Sequence, residues 1–381
     1  MEKSRIVITG IGVVAPNGIG KEEFWRNCAA GVSGIKPITL FDTSRYRCRY
    51  AGEISNFQPE KYLGSKGLRN LDRTTLLALV AAKLAIEDAK LKITDENCND
   101  IGVVLGSTMG SVHSISTFDI ESLREGPRYV NPALFPNTVI NSPASQISIR
   151  FGIKGLNSTI GTGFTASLNA LEYAVDMLRL GRVKTLLVGG VEELCIETFN
   201  AFSDFRLLFS ANGNSSSRMT AKSEMGKIVL GEGSGIVVLE TEEAASLRDI
   251  RSYGEILAIS NTFDRSSATN FQISKVGAVA AIQQAIELSG VTDVHYICPS
   301  SEGCEEVEDA ALNEVFGRRL DGVQKVSIKS MVGECFSAMG ILQLIRGIGA
   351  AEKSGDVFLV NTFSQIGIYA SVIAQKMGET R

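Results

Sequence analysis

Residues 156–193 read LNSTIGTGFTASLNALEYAVDMLRLGRVKTLLVGGVEE, and this stretch decides the predicted fold. A β-rich run punctuated by glycines (158–163) leads to Phe164, and a helix follows. The helix is predicted from apolar residues at helical spacing, namely Leu168, Leu171, Ala174, Val175 and Leu178. Gly181 ends this helix, and the TLLVGG run after it is typical of a buried strand. The stretch therefore predicts a strand, a sharp turn, a helix and a second strand.

The residue at the sharp turn is unexpected. A strand, a turn and a helix present a nucleophile at a helix N-terminus, where the helix dipole lowers the pKa of a thiol. Phe164 stands at this position, and its side chain has no lone pair, no proton to lose and no charge. The sequence predicts the scaffold for a nucleophile without the nucleophile itself.

Composition and charge are those of an ordinary soluble globular protein. The chain has 381 residues, of which 44% are hydrophobic and 21% charged, and it is long enough to bury a large core. A net charge of -4 with scattered signs gives no basic stripe, which argues against a nucleic-acid partner. No apolar run approaches the length of a membrane span, and the N-terminal MEKSRIVITGIG reads as a strand rather than a signal peptide.

The cysteines and histidines exclude several kinds of site. The seven cysteines show no CxxC spacing, which favours reduced thiols and a cytoplasmic location. The two histidines, His113 and His295, form no ligand cluster, so we expect no metal site. The glycine-rich turn in GIGVVAPNG lacks the GxGxxG spacing of a dinucleotide site, and we expect no cofactor.

Strands and helices alternate along the chain, and the alternation starts again near residue 251. Strands are predicted at 5–14, 101–108, 254–262, 294–301, 357–365 and 368–376, with a glycine-bracketed strand pair at 226–240. Helices are predicted from 21, at 72–89, 111–125 and 275–289, from 305, and at 336–351, and residues 198–217 are predicted as a surface loop. This pattern predicts an α/β protein with a mixed sheet covered on both faces. We expect two halves, 1–240 and 241–381, in one compact body.

Long collinear blocks of the sequence resemble one family. RIVITGIGVVAPNGIGKEEFWRNCAAGVSGIKPI resembles the opening of the β-ketoacyl-acyl carrier protein synthases, the decarboxylating condensing enzymes of fatty acid and polyketide synthesis. GPRYVNPALFPNTVIN, LLVGGVEE, GEGSGIVVLE, KSMVGE and VNTFSQIG follow in the order of that family. The resemblance implies the thiolase fold, a duplicated five-layer α-β-α-β-α sandwich with active sites near a large dimer interface.

The chemistry of that family needs a cysteine that takes the acyl chain and two histidines that assist decarboxylation and stabilise the enolate. By the resemblance, the cysteine position falls on Phe164, the first histidine on Ser300 and the second on Glu334. The neighbouring lysine is retained as Lys329, and a gating phenylalanine aligns with Gln365. Glu334 would add negative charge where the reaction builds an oxyanion, so we expect no condensation by this chain alone.

The same resemblance includes an inactive branch, the chain length factors of type II polyketide synthases. These are ketosynthase β subunits that form a heterodimer with an active ketosynthase α subunit and meet the acyl carrier protein through that complex. The resemblance places length-setting positions on the helix after GSTMG, at Val112, Ile115 and Asp119. It also places small residues at an interface strand, Gly161, Thr162 and Gly163. Medium-sized Val112 and Ile115 predict a longer cavity than bulky aromatic residues would permit.

Other readings of these residues remain open. Cys298, Cys304 or Cys335 could serve as a displaced nucleophile, although none follows the strand–turn–helix pattern. The chain could instead be a homodimeric acyl-binding scaffold. Val112 and Ile115 are also what plain core residues at helical spacing look like. Phe164 could simply fill the cysteine site, and Lys329 could pair with Glu334.

Overall fold

The computed structural model describes residues 4–209, 228–270, 272–300 and 305–378. Its strands are β1 (Ile6–Ala15), β2 (Gly18–Ile19), β3 (Ile35–Pro37), β4 (Tyr50–Gly52), β5 (Ile101–Gly106), β6 (Asn157–Ile160), β7 (Thr185–Glu192), β8 (Gly233–Thr241), β9 (Gly254–Phe263), β10 (Tyr296–Cys298), β11 (Gln324–Lys325), β12 (Val357–Phe363) and β13 (Ile368–Lys376). Its helices are α1 (Lys21–Ala29), α2 (Glu60–Leu63), α3 (Arg73–Asp88), α4 (Val112–Glu125), α5 (Ser142–Phe151), α6 (Ala166–Arg179), α7 (Ile196–Asp204), α8 (Glu242–Leu247), α9 (Arg265–Asn270), α10 (Lys275–Ser289), α11 (Glu305–Phe316), α12 (Lys329–Val332) and α13 (Met339–Ala350). Short 3₁₀ turns include Pro132–Thr138, Gly163–Thr165 and Phe336–Ala338.

Within the described ranges, one mixed sheet contains the same strand arrangement twice. The order β1-β8-β7-β5-β6 in one half corresponds to β9-β13-β12-β10-β11 in the other. In each half the first two pairings are antiparallel and the last two are parallel. The halves join where β1 pairs with β9. The predicted duplication is confirmed at the level of topology.

Alternate residues of the strands face different helical layers, because successive side chains in a strand point to opposite faces. Val104, Val188 and Val237 join a central cluster that contains the apolar faces of α6 and α13. Their neighbours in the same strands pack instead against α3 and α5. In the second half, α10 and α11 cover the outer face. The resulting α-β-α-β-α arrangement confirms the predicted thiolase-type sandwich.

Close approach between layers requires glycine at one position of β1. A Cβ atom built on Gly12 would lie 1.9 Å from the carbonyl oxygen of Ala81 in α3. Any larger residue would push α3 away from the sheet, since packed interiors do not yield readily. Among the described residues, no helix is both long and apolar enough to cross a membrane.

Two segment predictions were wrong. The segment predicted as a strand pair at 226–240 does not form one over its described residues, 228–240: β8 begins at Gly233, and Ile228 and Leu230 make only isolated bridges, to Leu208 and Glu334. Residues 198–204 are not a loop but belong to α7, because the fully buried Phe199 anchors that helix against Phe41 and Tyr46. The serine-rich remainder of the predicted loop, 210–217, lies outside the described residues.

The central layer supplies a direct test of the fold. Leu171 of α6 is fully buried in this layer, whereas Leu180, which follows the same helix, is 67% exposed. We expect Leu171→Ala to lower the free energy of unfolding by about 2–5 kcal/mol through lost burial and a cavity. Leu180→Ala should change it by less than about 0.5 kcal/mol. Denaturant unfolding of both variants checks this, and equal effects would contradict the layer assignment.

Candidate functional site

The site is built around an elbow between β6 and α6. The chain leaves β6 at Ile160, turns through the 3₁₀ segment that starts at Gly163, and enters α6 at Ala166. Gly163 has φ +72°, a backbone conformation that favours glycine. The predicted strand, turn and helix are therefore present, with Phe164 at the turn.

The duplicated fold places a second elbow opposite the first. The 3₁₀ turn Phe336–Ala338 leads into α13 just as Gly163–Thr165 leads into α6. The beginnings of α6 and α13 touch, because the backbone N–H of Ile341 donates to Oγ of Ser167 at 3.2 Å. Segments distant in sequence thus meet at one place, between the two helix N-termini.

Aromatic side chains fill the space at this place. The half-buried ring of Phe164 lies 5.2 Å, centroid to centroid, from the ring of Phe336 and is tilted by 60°. Phe336 in turn lies 5.5 Å from Phe202 of α7. We call these three residues the aromatic cluster. Tilted ring pairs at such distances are favourable beyond their buried area, so the ring contacts stabilise the cluster.

Glu334 is buried and fully engaged by its neighbours. Its Oε2 lies 2.5 Å from Nζ of Lys329, and both side chains are largely shielded from water. Its Oε1 accepts a hydrogen bond from the backbone N–H of Phe336 at 2.9 Å. Phe336 has φ +44°, which is strained for a bulky residue, and this hydrogen bond helps to hold it there. A carboxylate only accepts hydrogen bonds, so Glu334 cannot donate one to an oxyanion as a protonated histidine would.

The hydroxyl and the backbone N–H of Ser300 both make hydrogen bonds within the protein. Ser300 is buried, and its Oγ accepts a hydrogen bond from the backbone N–H of Phe363 at 2.6 Å. Its own backbone N–H donates to the carboxyl group of Glu308, at 3.1 and 2.9 Å from the two oxygens. Neither contact leaves a group positioned for acid–base chemistry on a substrate. Residues 301–304, which follow Ser300, lie outside the described residues.

Sequence reasoning missed Glu308, a fully enclosed acid on α11. Nδ2 of Asn361 donates to Glu308 at 2.8 Å, and burial raises the pKa of Glu308 to about 7 although Lys329 and Lys325 act in the opposite direction. The missed signal was the spacing of Glu308 to the buried Ala311 and Leu312, which places the acid on the buried face of the helix.

The proposed gate lies on the loop between β12 and β13. Gln365 is exposed at this loop, one residue before Ile366. A Cβ atom built on Gly163 would lie 3.5 Å from Cδ1 of Ile366, so the loop rests against the elbow. The structure therefore brings the segments of Phe164, Ser300, Lys329, Glu334 and Gln365 together through a continuous chain of contacts.

The predicted length-setting residues lie at the start of α4. Val112 is its first residue and Ile115 lies one turn on, both half-buried, whereas Asp119 is exposed. No residue of α4 is buried against the described part of the chain, and Leu123 is 85% exposed. The apolar face of this helix is therefore only partly covered: Phe118 lies 6.0 Å from Phe135, centroid to centroid, and Val112 and Ile115 are half-buried, which does not fit the reading of the latter two as plain core.

The small residues predicted for an interface strand do not lie in a strand. Gly161, Thr162 and Gly163 follow the end of β6 and form the turn of the elbow, since Gly163 has a positive φ that breaks the extended backbone. Oγ1 of Thr162 instead donates to Asn169 in α6 at 2.7 Å. Gly161 is exposed, and a Cβ built on it would approach Ile140 at 3.5 Å.

The remaining thiols near the site are poor nucleophiles. Cys298 and Cys335 are both fully buried. Burial raises the pKa of Cys298 to about 12, and burial together with Glu334 raises the pKa of Cys335 well above its usual value. A thiol reacts as its thiolate, so neither has the activated character of a catalytic cysteine. Cys304, the third candidate, lies outside the described residues.

Family profiles match most of the chain. Residues 3–245 match the family described as beta-ketoacyl synthase, N-terminal domain, and residues 253–354 match beta-ketoacyl synthase, C-terminal domain. The chain belongs to the β-ketoacyl synthase family. It is similar to "3-oxoacyl-[acyl-carrier-protein] synthase 2" of Synechocystis sp., with 31% identity over 93% of this chain and 86% of the relative. The protein of the same name from Vibrio cholerae is 32% identical over 91% of this chain and 85% of the relative.

Solved structures of β-ketoacyl synthases resemble this fold over nearly its whole length. The ishigamide ketosynthase/chain length factor has a TM-score of 0.84 at 25% identity and covers 99% of this chain and 100% of its own. A β-ketoacyl synthase from Burkholderia phymatum has a TM-score of 0.85 at 23% identity, with 98% of this chain and 100% of its own covered. The thiolase-like ketosynthase fold is thereby established for this chain.

The buried acid Glu308 generates a pH prediction. Its folded pKa of about 7 lies above the ordinary value of 4.5, so its protonation stabilises the fold fully below pH 4.5, and this contribution is lost as pH rises through 7. We expect the free energy of unfolding of wild type, relative to Glu308→Gln, to fall by roughly 3 kcal/mol over this range, at about 1.4 kcal/mol per pKa unit. Asp309→Asn, a change at a partly exposed acid beside it, is the control. A flat difference between wild type and Glu308→Gln in denaturant titrations would contradict the burial of this charge.

Proposed function

We propose that this protein is a non-catalytic chain length factor that works in the cytoplasm. It pairs with an active ketosynthase α subunit and shapes the acyl tunnel of that subunit in type II polyketide biosynthesis, of the aromatic or polyene kind. The observation that carries the proposal is the elbow, where Phe164 packs against Phe336 and Glu334 pairs with Lys329.

The thiol and the two imidazoles that condensation needs are absent from the corresponding positions of this chain. We propose Phe164, Ser300 and Glu334 as the degenerate positions of the family nucleophile and its two histidines, with Lys329 retained. Catalytic groups that act as a unit fail together rather than additively, so restoring one of them would recover little. The buried, high-pKa thiols of Cys298 and Cys335 disfavour a displaced nucleophile.

An uncovered apolar surface supports a partner subunit. Large apolar side chains on α4 and the segment after it are exposed, including Leu123 at 85%, Tyr129 at 77% and Phe135 at 57%. Beside them, β6 ends the sheet and pairs with β5 alone among the described strands. Exposed large apolar side chains and a sheet edge with one neighbouring strand are common features of protein interfaces. We propose this surface, together with the adjacent Gly161–Gly163 turn, as the interface with the ketosynthase.

Comparison with solved complexes supports the same partners. One similar structure is the ishigamide ketosynthase/chain length factor, and another is a type II polyketide synthase acyl carrier protein in complex with its ketosynthase. For this chain we propose that the carrier protein is met through the heterodimer. We retain 1–240 and 241–381 as the proposed halves of the chain. The described cysteines are all free thiols, which agrees with a reducing cytoplasm.

Product length would be set by steric exclusion. Val112 and Ile115 lie, half-buried, at the start of this partly covered helix, from which we propose that their side chains reach the partner. Because packed interiors yield little, one larger side chain there would remove whole two-carbon units from the space for the chain. Asp119, further along α4, is exposed. Gln365 is also exposed, and we propose that it stands at the position of the aromatic gate of the family.

Co-expression with a cysteine-bearing ketosynthase tests the proposed function. We expect a stable one-to-one complex that condenses malonyl units on the carrier protein, whereas this chain alone does not. Size-exclusion chromatography with light scattering gives the stoichiometry, and product analysis gives the activity. A homodimer of this chain that ignores the ketosynthase would instead favour an acyl-binding scaffold.

Enlarging the length-setting residues should shorten the product. We expect Val112→Trp or Ile115→Trp to reduce the main product by one or more two-carbon units while turnover continues, as measured by mass spectrometry of the products of the complex. Val276→Trp is the matched control, because Val276 is 75% exposed on α10. Unchanged product length in both variants, with the complex intact, would refute the assignment of these residues.

Restoring the thiol alone should not restore catalysis. We expect Phe164→Cys to remain without detectable condensation when assayed without a partner, because Ser300 and Glu334 still stand where the imidazoles are needed. The variant should still bind the ketosynthase, which serves as the control for folding. Measurable turnover by Phe164→Cys alone would show that the rest of the catalytic machinery is intact.

A further inference from the structure

Helix α4 depends on contacts at its first turn for its position. None of its residues is fully buried against the described part of the chain, so its partly covered apolar face, which includes the Phe118–Phe135 ring contact, holds it only in part. A helix N-terminus also leaves backbone N–H groups without partners inside the helix. The residue preceding α4, Ser111, does not cap it, because its Oγ donates to Asp72 at 2.6 Å instead.

Two consecutive glutamates at the end of β7 accept hydrogen bonds from the loop before α4 and from the first turn of α4. Glu192 accepts from the backbone N–H groups of Thr108 and Met109 at 2.8 and 3.1 Å, and so holds the loop that leads to α4. Glu193 accepts from the backbone N–H of His113, in the first turn of α4, at 3.1 Å. Both acids are buried, with exposures of 2% and 6%. The rigid centre of the sheet is thereby tied directly to the start of α4.

A second contact, between His113 in the first turn of α4 and Glu197 of α7, also holds this turn. Nδ1 of His113 lies 3.1 Å from Oε1 of Glu197. This pair is largely solvent-exposed on the histidine side, so we expect it to contribute little by itself. The buried Glu193 is therefore the principal tie between the sheet and the helix, since a hydrogen bond shielded from water is stronger than an exposed one.

We infer that Glu193 is a positioning residue for chain length: through the N–H of His113 it fixes the first turn of α4, and with it Val112 and Ile115. This inference rests on the proposed function, because only a chain length factor would use those side chains to limit a partner's tunnel. The glutamate itself touches neither substrate nor product.

Charged and titratable groups around Glu193 come from three elements. Asp72, which precedes α3, and Arg73 of α3 lie near it, as do His113 of α4 and Cys195, which precedes α7. Burial raises the pKa of Glu193 from 4.5 to about 7. A raised folded pKa means that the proton stabilises the folded arrangement in which Glu193 is buried: this contribution is complete below pH 4.5 and is lost as pH rises through 7.

Amide hydrogen exchange of the purified chain, without any partner, tests whether Glu193 holds the first turn of α4. We expect Glu193→Ala to lower the protection factors in the first turn of α4 at least tenfold at both pH 5 and pH 8, with the central layer unaffected. Glu193→Gln imitates the protonated acid, so it should match wild type at pH 5 and exceed it at pH 8. Glu125→Ala, an exposed acid at the end of the same helix, is the control. Unchanged protection in Glu193→Ala, or a pH dependence that survives in Glu193→Gln, would overturn the inference.

Product analysis of the complex tests the consequence for chain length. We expect Glu193→Ala to spread the product over neighbouring lengths that differ by two carbons, and Glu193→Gln to keep the wild-type product. A sharp wild-type product from Glu193→Ala would overturn the inference even if exchange has changed. If instead the complex does not form, the proposed function fails, and if both Val112→Trp and Ile115→Trp leave the product unchanged, the length-setting assignment fails; the exchange result still decides whether Glu193 anchors α4.

Discussion

Two phenylalanine rings meet between the N-termini of α6 and α13, and the contacts around them depend on one another. The ring of Phe164 packs against that of Phe336. Phe336 keeps its left-handed backbone with help from the Glu334 carboxylate, which is in turn balanced by Lys329. Removing any one member would leave a buried charge, a strained backbone or a cavity. The elbow is thus held by packing, hydrogen-bond and charge contacts that depend on one another.

Duplication explains why such a site exists in this position at all. Each half of the chain ends its parallel strands beside a 3₁₀ turn and a helix of the central layer, and the two turns face each other. The same geometry that would point a nucleophile and its assisting groups at one substrate here brings apolar side chains into contact. Packing of this fold needs only shape and apolar surface, whereas catalysis needs particular functional groups.

The sequence predicted the architecture well where periodicity and burial agree. Strict apolar runs such as TLLVGG and the helical spacing of Leu168, Leu171 and Leu178 correspond to β7 and α6. Prediction failed where tertiary contacts outweigh local pattern. The aromatic start of α7 looked like a loop until Phe199 was found fully buried, and the turn at Gly161–Gly163 looked extended because β-branched neighbours precede it. The roles of Glu193 and Glu308 were invisible, since an acid adjacent to an apolar run reads as a surface residue until the fold encloses it.

The most direct measurement is the mass of each intact subunit after the assembled complex has been incubated with acyl-carrier protein and malonyl-carrier protein. The account requires the acyl adduct to appear on the cysteine-bearing ketosynthase and this chain to keep its unmodified mass. An acyl adduct on this chain would contradict it, because the chain would then supply a nucleophile that the filled elbow at Phe164 leaves no place for.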